Sequence, residues 1–162
     1  MQRTIAIQDI KNFIGKEIGL SQWRLVTQDM INQFASATDD HQWIHVDEEK
    51  AKKTPFGGTI AHGFLTLSLL STLAYEALPK LKGATMGINY GFDKIRFVSP
   101  VKTDAQIRAR FILDDAKIRP SGRVVLHYKT TIEINKLKNP ALIAHWLIIA
   151  MIEEKEINSL IS

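Results

Sequence analysis

Two hydrophobic patterns divide the chain into a helical first half and a strand-rich second half. Residues Phe64–Leu78 contain neither glycine nor proline and are apolar almost all the way round a helix. That pattern is typical of a helix surrounded by protein. At 1.5 Å per residue, the stretch predicts a helix about 22 Å long. Pro79 and Gly83 mark its end.

The residues before this helix predict shorter elements. Thr27 suits a helix N-cap and Asp29 suits the first helical turn, where a negative charge is favourable. The apolar residues that follow fall on one helical face: Met30, Ile31, Phe34 and Ala35. Asp47 predicts the cap of a second short helix, which ends before Pro55. Two more elements are predicted near the N-terminus: a helix over Gln8–Ile14 and a strand over Leu20–Val26.

After Gly83 the pattern becomes that of β-strands. Residues Arg123–Ile134 alternate cleanly and predict one buried face and one exposed face. The last stretch is apolar on both faces, so both are expected to be covered, one of them by a second subunit. Turns are predicted at Asp114-Asp115, Pro120-Ser121-Gly122 and Asn139-Pro140. The predicted strands are Thr85–Val98, Asp104–Leu113, Arg123–Ile134 and Ala141–Ile152.

A helical first half with one buried helix, followed by consecutive long strands, predicts an α+β fold. The economical arrangement is an antiparallel sheet wrapped around the central helix. No repeat, low-complexity stretch or linker interrupts the 162 residues. Residues 1–162 are therefore expected to form a single domain.

Composition narrows the function classes. Hydrophobic residues make up 45% and charged residues 23% of the chain, as in folded soluble proteins. Without cysteine, disulfides and thiolate metal sites are excluded. The N-terminal residues mix charges and do not resemble a signal peptide, and the apolar stretches are shorter than the roughly 20 residues of a membrane span. We expect a cytoplasmic protein without a membrane anchor.

The net charge of +4 comes from lysines and arginines that are scattered along the chain rather than gathered in a run. Nucleic acid binding is therefore not expected. A basic rim around a pocket for a phosphorylated carrier such as coenzyme A would have the same composition.

The most informative segment for chemistry is Phe34–Gly63. Asp40 and His45 lie five residues apart in a stretch without a helical pattern, and His62-Gly63 lead into the central helix. A carboxylate and an imidazole that converge on one water can share its proton transfers. The free N–H groups at a helix N-terminus can stabilise a developing negative charge. Together these groups suit the addition or removal of water next to a carbonyl.

Three blocks of the sequence, in order and at suitable spacing, resemble the MaoC-like, or hydratase-2, group of hot-dog proteins: Phe34–Asp47, Ile60–Leu65 and Asn89–Phe97. This group includes (R)-specific enoyl-CoA hydratases, and the chain is most similar to the small single-domain subgroup named after nodulation protein N. The sequence departs from the group's pattern at two places. Asp39 stands where the group usually has glycine, and Gln42-Trp43 stands in place of Asn-Pro.

The resemblance implies a hot-dog fold and the hydration of trans-2-enoyl thioesters to (R)-3-hydroxyacyl thioesters, or the reverse dehydration. It implies that Asp40 and His45 hold one water, while backbone N–H groups at Gly63 bind the thioester oxygen. By its spacing Ser71 would orient Asp40, with Ser68 as a competitor. His62 either lines the thioester channel or is a satisfied polar residue at the start of the helix.

The implied substrate is an acyl thioester of coenzyme A or of acyl carrier protein, bound by a C2 homodimer. Arg96 and Lys94 are candidate contacts to its phosphates, and no cofactor is implied. His41 and His45 could in principle ligate a metal together, but the bulky Trp43 between them argues against a closed site. We expect no metal, and we expect Trp43 to pack in the core.

Two other functions remain compatible with a hot-dog fold. A thioesterase would carry a carboxylate on the central helix, where Glu76 lies near the C-terminal end. A binding module would keep the fold without turnover, although the intact spacing of Asp40 and His45 argues against that.

Overall fold

The computed structural model describes residues 3–119, 121–153 and 156. Within these ranges a 3₁₀ helix at Ile7–Phe13 precedes the α-helices. The α-helices are α1 (Gln28–Thr38), α2 (Trp43–Val46), α3 (Glu48–Ala51) and α4 (Gly63–Ala77). The strands are β1 (Thr4–Ile5), β2 (Glu17–Leu20), β3 (Arg24–Leu25), β4 (Lys80–Leu81), β5 (Ala84–Phe97), β6 (Gln106–Arg119), β7 (Arg123–Ile134) and β8 (Leu142–Ile152).

One antiparallel sheet dominates the fold. Its strands follow the order β2-β6-β7-β8-β5, and β3 pairs with the end of β6 beyond β2. The short strands β1 and β4 form a separate parallel pair. The α+β prediction and the antiparallel sheet are therefore confirmed. None of the helices in the described part of the chain is long and apolar enough to cross a membrane.

The sheet packs around α4, whose leucines form the centre of the core. Leu70 and Leu73 are 1% and 0% exposed, and they lie in one cluster with the inward-facing side chains of β6 and β7. The predicted alternation of β7 is confirmed, because its even-numbered positions are buried from Val124 to Ile134. Burial of a large apolar side chain contributes about 1.5–3 kcal/mol, so these residues account for much of the fold's stability.

The sequence prediction of α4 was only partly right. Its bounds are shifted by one residue, and the helix is not surrounded by this chain on all sides. One face is open, with Phe64 66% and Tyr75 77% exposed, and Ser68 and Ser71 lie on the same face. A helix of leucines with two aromatic residues is almost uniformly apolar in sequence, although only the side that carries Leu65, Leu69 and Leu73 is buried.

Two strand predictions were wrong at their ends. The Asp114-Asp115 pair is not a turn, because β6 continues to Arg119 and its pairing with β7 shifts between Leu113 and Asp115. Such a β-bulge absorbs one extra residue without ending the strand. The predicted strand Leu20–Val26 is divided between β2 and β3. Of the next predicted turn, Pro120 lies outside the described residues, and Gly122 has the positive φ of +75° that a turn requires.

The helix caps follow their predictions closely. The Thr27 side chain accepts a hydrogen bond from the N–H of Met30, and the Asp47 side chain accepts one from the N–H of Lys50. Ile31 and Ala35 are fully buried on the predicted face of α1. The segment predicted as a helix over Gln8–Ile14 is the 3₁₀ helix.

Candidate active site

His45 lies in the single turn of α2 and is 7% exposed. Its Nδ1 is 2.6 Å from the main-chain oxygen of Ile60. Because a carbonyl oxygen only accepts hydrogen bonds, this contact assigns the proton of the neutral imidazole to Nδ1. The Nε2 atom then carries a free lone pair and is the basic atom of the ring.

Asp40 follows directly after the end of α1. Asp39 ends this helix in the left-handed conformation, with φ at +57°. Glycine adopts that conformation most readily, and aspartate is among the residues that tolerate it. Asp39 therefore keeps the turn, although MaoC-like proteins usually have glycine at this position. The side chain of Asp40 is 52% exposed, and its Oδ1 accepts a long hydrogen bond of 3.4 Å from the N–H of Gln42.

His62 contacts both candidate residues. Its side chain is 2% exposed, and its ring stacks on that of His45 with 3.8 Å between centroids and 28° between planes. Its Nε2 donates to the main-chain oxygen of Asp40 at 2.9 Å. A ring this deeply buried offers almost no surface to a substrate, which disfavours the channel-lining interpretation of His62, and the bond to Asp40 satisfies one of its two ring nitrogens. Among the described residues its Nδ1 has no hydrogen-bond partner.

The electrostatics around His45 favour its neutral form. Burial lowers the pKa of His45 below its ordinary value of 6.5, since desolvation penalises the imidazolium, while the bond to the Ile60 oxygen opposes this. The neighbouring His62 lowers the pKa further, and Asp40 raises it in part. The ring is therefore neutral at pH 7, and its Nε2 can accept a proton.

Among the described residues, Asp40, His45 and His62 form a group whose side-chain oxygen and ring nitrogens lie within 4.8 Å of one another. This differs from the pairing of His41 with His45 considered from the sequence. A metal needs lone pairs that converge on one point. Stacked rings direct their in-plane lone pairs side by side, so the arrangement suits proton transfer better than metal coordination.

Gly63 is the first residue of α4, so the unpaired N–H groups of the first helical turn face outward beside His45. Both residues line a cavity of about 280 Å³ together with Phe97, Val101 and Ala141. A Cβ at Gly63 would lie 3.1 Å from the Phe97 ring. A larger residue would need the Phe97 ring to shift by a few tenths of an ångström, so packing favours glycine here, in addition to any approach of a substrate.

Ser71 is not brought to Asp40. It is exposed on α4, eight residues beyond Gly63 or about 12 Å along the axis. It lines a second cavity of about 570 Å³ between α4 and the strands β5 and β8, whose walls include Tyr75, Met86 and Ile88. Its competitor Ser68 bonds back to the Phe64 oxygen at 2.7 Å, the common fate of a helical serine.

Arg96 and Lys94 lie on the side of the sheet that faces away from α4. Arg96 pairs with Ile143 and Lys94 pairs with His145, whereas the alternate residue Phe97 packs against the start of α4. Side chains on a strand alternate between faces. Their assignment as phosphate contacts gains no support from this geometry.

Trp43 is 42% exposed, so the expectation that it packs in the core was wrong.

Gln28 was missed by sequence reasoning. Its Nε2 donates to the main-chain oxygen of His45 at 2.8 Å, and its Oε1 accepts from Thr59 and Thr103. In the sequence it is an ordinary polar residue in the first turn of a helix, without a motif to distinguish it.

A family model described as a MaoC like domain matches residues 9–135. The chain belongs to the MaoC-like domain family. It is 47% identical over 153 residues to nodulation protein N of Rhizobium meliloti, covering 94% of this chain and 95% of that protein. It is 41% identical over 143 residues to 3-hydroxyacyl-thioester dehydratase Z of Mycobacterium tuberculosis, covering 88% of this chain and 94% of that protein.

Solved structures of other proteins share the fold of this MaoC-like domain. A monoamine oxidase regulatory protein from Archaeoglobus fulgius superposes with a TM-score of 0.74 at 26% identity, covering 94% of this chain and 99% of that chain. An (R)-hydratase from A. caviae superposes with a TM-score of 0.66 at 21% identity, covering 83% and 94%. The predicted hot-dog fold is confirmed.

The lowered pKa of His45 predicts a specific dependence of stability on pH. As the pH falls below 6.5, the unfolded chain takes up a proton at this residue before the folded chain does. The free energy of unfolding should therefore decrease from pH 6.5 down to the folded pKa, and this contribution should be fully present above pH 6.5. Urea unfolding across this range, with NMR titration of the histidine rings, measures both quantities.

The variant His45→Gln should lose this part of the pH dependence. The control His41→Gln, which removes an exposed imidazole four residues earlier, should keep it. A folded-state titration of His45 above 6.5 would contradict the assignment.

Proposed function

We propose that this MaoC-like protein hydrates trans-2-enoyl thioesters to (R)-3-hydroxyacyl thioesters or catalyses the reverse dehydration. The observation that carries the proposal is the approach of the Asp40 carboxylate and a His45 ring nitrogen to within 4.8 Å, beside a cavity that ends at the N-terminus of α4. The similarity to 3-hydroxyacyl-thioester dehydratase Z over 88% of the chain supports the same reaction class.

A separation of this size suits a single water that hydrogen-bonds to both side chains, since two such bonds span about 5.5 Å. The pair takes one proton from the water as its oxygen forms a bond to C3 of the enoyl group. A proton is then delivered to C2, which completes the addition and returns the pair to its starting protonation state. A neutral His45 with a free Nε2 is the form that can accept the first proton.

Attack at C3 pushes negative charge onto the thioester oxygen. The N–H groups of the first turn of α4, starting at Gly63, are candidate donors to that enolate oxygen. Such preorganised donors contribute about 10²–10³ in turnover in other enzymes. The helix therefore has a chemical role at its N-terminus and a structural role along its leucine-rich side.

The larger cavity between α4 and the strands β5 and β8 supports an acyl substrate. It extends along the same helix from Ser71 to Leu78, and its walls are mainly apolar. We propose that the acyl chain runs from Gly63 toward this cavity, and that Ser71 contacts the chain rather than Asp40. The carrier is coenzyme A or acyl carrier protein.

A thioesterase reaction receives no support from the position of Glu76. This residue lies in the last turn of α4, thirteen residues from Gly63, and its carboxylate pairs with Arg24 at 3.5 Å. No other acidic residue lies on α4.

The reaction and its stereochemistry are tested in one experiment. Crotonyl-CoA is added to the protein, the loss of enoyl absorbance is followed, and the product is offered to an (S)-specific 3-hydroxyacyl-CoA dehydrogenase with NAD. Because Asp40 and His45 are proposed to hold the same water, water and proton should reach one face of the enoyl group, giving syn addition. We expect loss of absorbance without NADH formation. Rapid NADH formation would mean the (S) product and would contradict the proposed geometry.

The two candidate catalytic side chains are tested by isosteric changes. Asp40→Asn and His45→Gln each remove one proton-transfer group, so each should lower kcat by about a hundredfold or more while the fold is kept. The matched control is Asp39→Gly, which removes the adjacent carboxylate and restores the residue type best suited to φ +57°. It should keep nearly full activity and be at least as stable as the wild type. Near-normal turnover in either folded isosteric variant would refute the assignment.

We further propose a C2 homodimer formed along β5. This strand lies at the edge of the sheet, and its residues Met86, Ile88 and Tyr90 are 56%, 43% and 64% exposed. The sequence pointed instead to β8, whose outward side chains are half-buried by the neighbouring strands. A long apolar edge strand beside the open face of α4 is typical of a surface covered by another chain.

Light scattering should give twice the 18.3 kDa mass of one chain at micromolar concentration. Ile88→Lys should shift the mass toward the monomer, because a lysine on an edge strand opposes pairing. Leu137→Lys, at a site 57% exposed in the β7–β8 loop, is the control and should remain dimeric. A monomeric wild-type protein would refute the dimer.

A further inference from the structure

Gln28 directs its side chain into the junction of three segments that are distant in sequence. Its Nε2 donates to the main-chain oxygen of His45 and to Oδ1 of Asn32, both at 2.8 Å. Its Oε1 accepts from the hydroxyl of Thr59 at 2.5 Å and from that of Thr103 at 2.9 Å. The two hydroxyl oxygens are 2.7 Å apart. One amide therefore connects α1, α2 and the segments around residues 59 and 103.

The chemistry of the partners assigns the orientation of this amide. A carbonyl oxygen only accepts, so the amino group must face His45 and the amide oxygen must face the hydroxyls. The hydroxyls complete the arrangement when Thr59 donates to Gln28 and Thr103 donates to Thr59 or Gln28. The reversed amide would place an oxygen against the oxygen of His45. Since Thr59 is only 4% exposed, water would compensate such a mismatch poorly.

The network holds the main chain of His45, whereas the Ile60 oxygen holds its ring. The ring is bound through Nδ1 to the Ile60 oxygen, and the main chain is bound through its own oxygen to Gln28. The N–H of Ile60 also donates to the oxygen of Ile44 at 3.1 Å. Thr103 ties the segment again, because its N–H donates to the Thr59 oxygen at 3.1 Å. The direction of the His45 Nε2 lone pair thus depends on contacts at both ends of the residue.

We propose that Gln28, supported by Thr59 and Thr103, is the positioning residue of His45. It does not touch the reacting atoms. It holds the α2 turn so that Nε2 of His45 stays directed at the water shared with Asp40, and as a neutral amide it does so without adding a charge beside the imidazole. This role rests on the proposed hydration reaction, in which displacement of a base by about 1 Å can cost a hundredfold in rate.

The test uses substitutions that keep the size of the side chain. Gln28→Met removes all its hydrogen bonds, and kcat for crotonyl-CoA hydration should fall about tenfold while KM stays within twofold. Gln28→Glu places a carboxylate against the His45 oxygen. It should raise the NMR-measured pKa of His45 and move the acidic limb of the kcat/KM profile to higher pH. The charged or titratable groups that already act on His45 are Asp40 and His62.

A second pair of variants tests the network if the Gln28 variants fold poorly. Thr103→Val removes the hydroxyl at nearly constant volume and should lower kcat, whereas Thr103→Ser keeps the hydroxyl and should restore it. The matched control is Gln33, an exposed residue on α1 that donates to Asp29 at 2.7 Å. Gln33→Met and Gln33→Glu should leave kcat and the pKa of His45 at wild-type values.

The outcomes separate the positioning role from the proposed reaction. If no enoyl thioester is hydrated, the proposed reaction is refuted. The pKa of His45 in Gln28→Glu then still tests whether residue 28 contacts His45. An unchanged pKa of His45 in that variant, or full kcat in both Gln28→Met and Thr103→Val, would overturn the positioning role. A rise in KM at constant kcat would also overturn it, because it would indicate a substrate contact instead.

Discussion

The packing of the antiparallel sheet around α4 is the constraint on which the rest of this structure depends. The helix can bury its leucines only where β6 and β7 turn their apolar faces inward. This packing sets the N-terminus of the helix beside Phe97 and Val101 at one end of the sheet. The same packing leaves the face with Phe64 and Tyr75 open. The pocket, the open helix face and the exposed edge strand are therefore consequences of one packing arrangement.

The candidate site adds buried polar groups to this apolar frame. His45 and His62 are almost fully buried, and each meets a main-chain oxygen, from Ile60 and from Asp40 respectively. Main-chain oxygens accept hydrogen bonds without adding a full charge, so they satisfy a buried ring N–H in a medium of low dielectric without placing a carboxylate against it. Desolvation then lowers the pKa of His45. Burial therefore has two effects. It keeps the imidazole of His45 in the neutral form that can accept a proton at neutral pH, and it lowers the free energy of unfolding when the pH falls and the ring must be protonated.

Asp39 is the residue at which the sequence departs from the glycine usual in MaoC-like proteins, yet its backbone conformation is one that glycine would adopt. Asp39 occupies a left-handed position that glycine fills most easily, and an aspartate fills it at small cost. The turn still presents Asp40 to His45. A replacement in a family motif thus need not change the site when the new residue satisfies the same backbone requirement. Gln28 illustrates the opposite case, because it contacts His45 although it belongs to no motif.

Most of the fold was predictable from the sequence, because its determinants are local. Alternation gave the buried face of β7, the apolar run gave α4 within one residue, and Thr27 and Asp47 marked helix starts through their own side chains. The proximity of Asp40 and His45 was also predictable from the sequence, since five residues of chain already keep them near each other. These features depend on contacts within one element or one loop, where spacing along the chain determines distance.

The remaining features were decided by tertiary structure. The faces of Lys94 and Arg96 follow from register shifts in β5, and a shift of one residue moves a side chain to the other side of the sheet. Ser71 lies along α4 from the candidate pair because the helix axis runs away from the site. Gln28 meets Thr59 and Thr103 only when separate segments are packed together. Contacts between residues distant in sequence depend on the relative placement of elements, which no local pattern encodes.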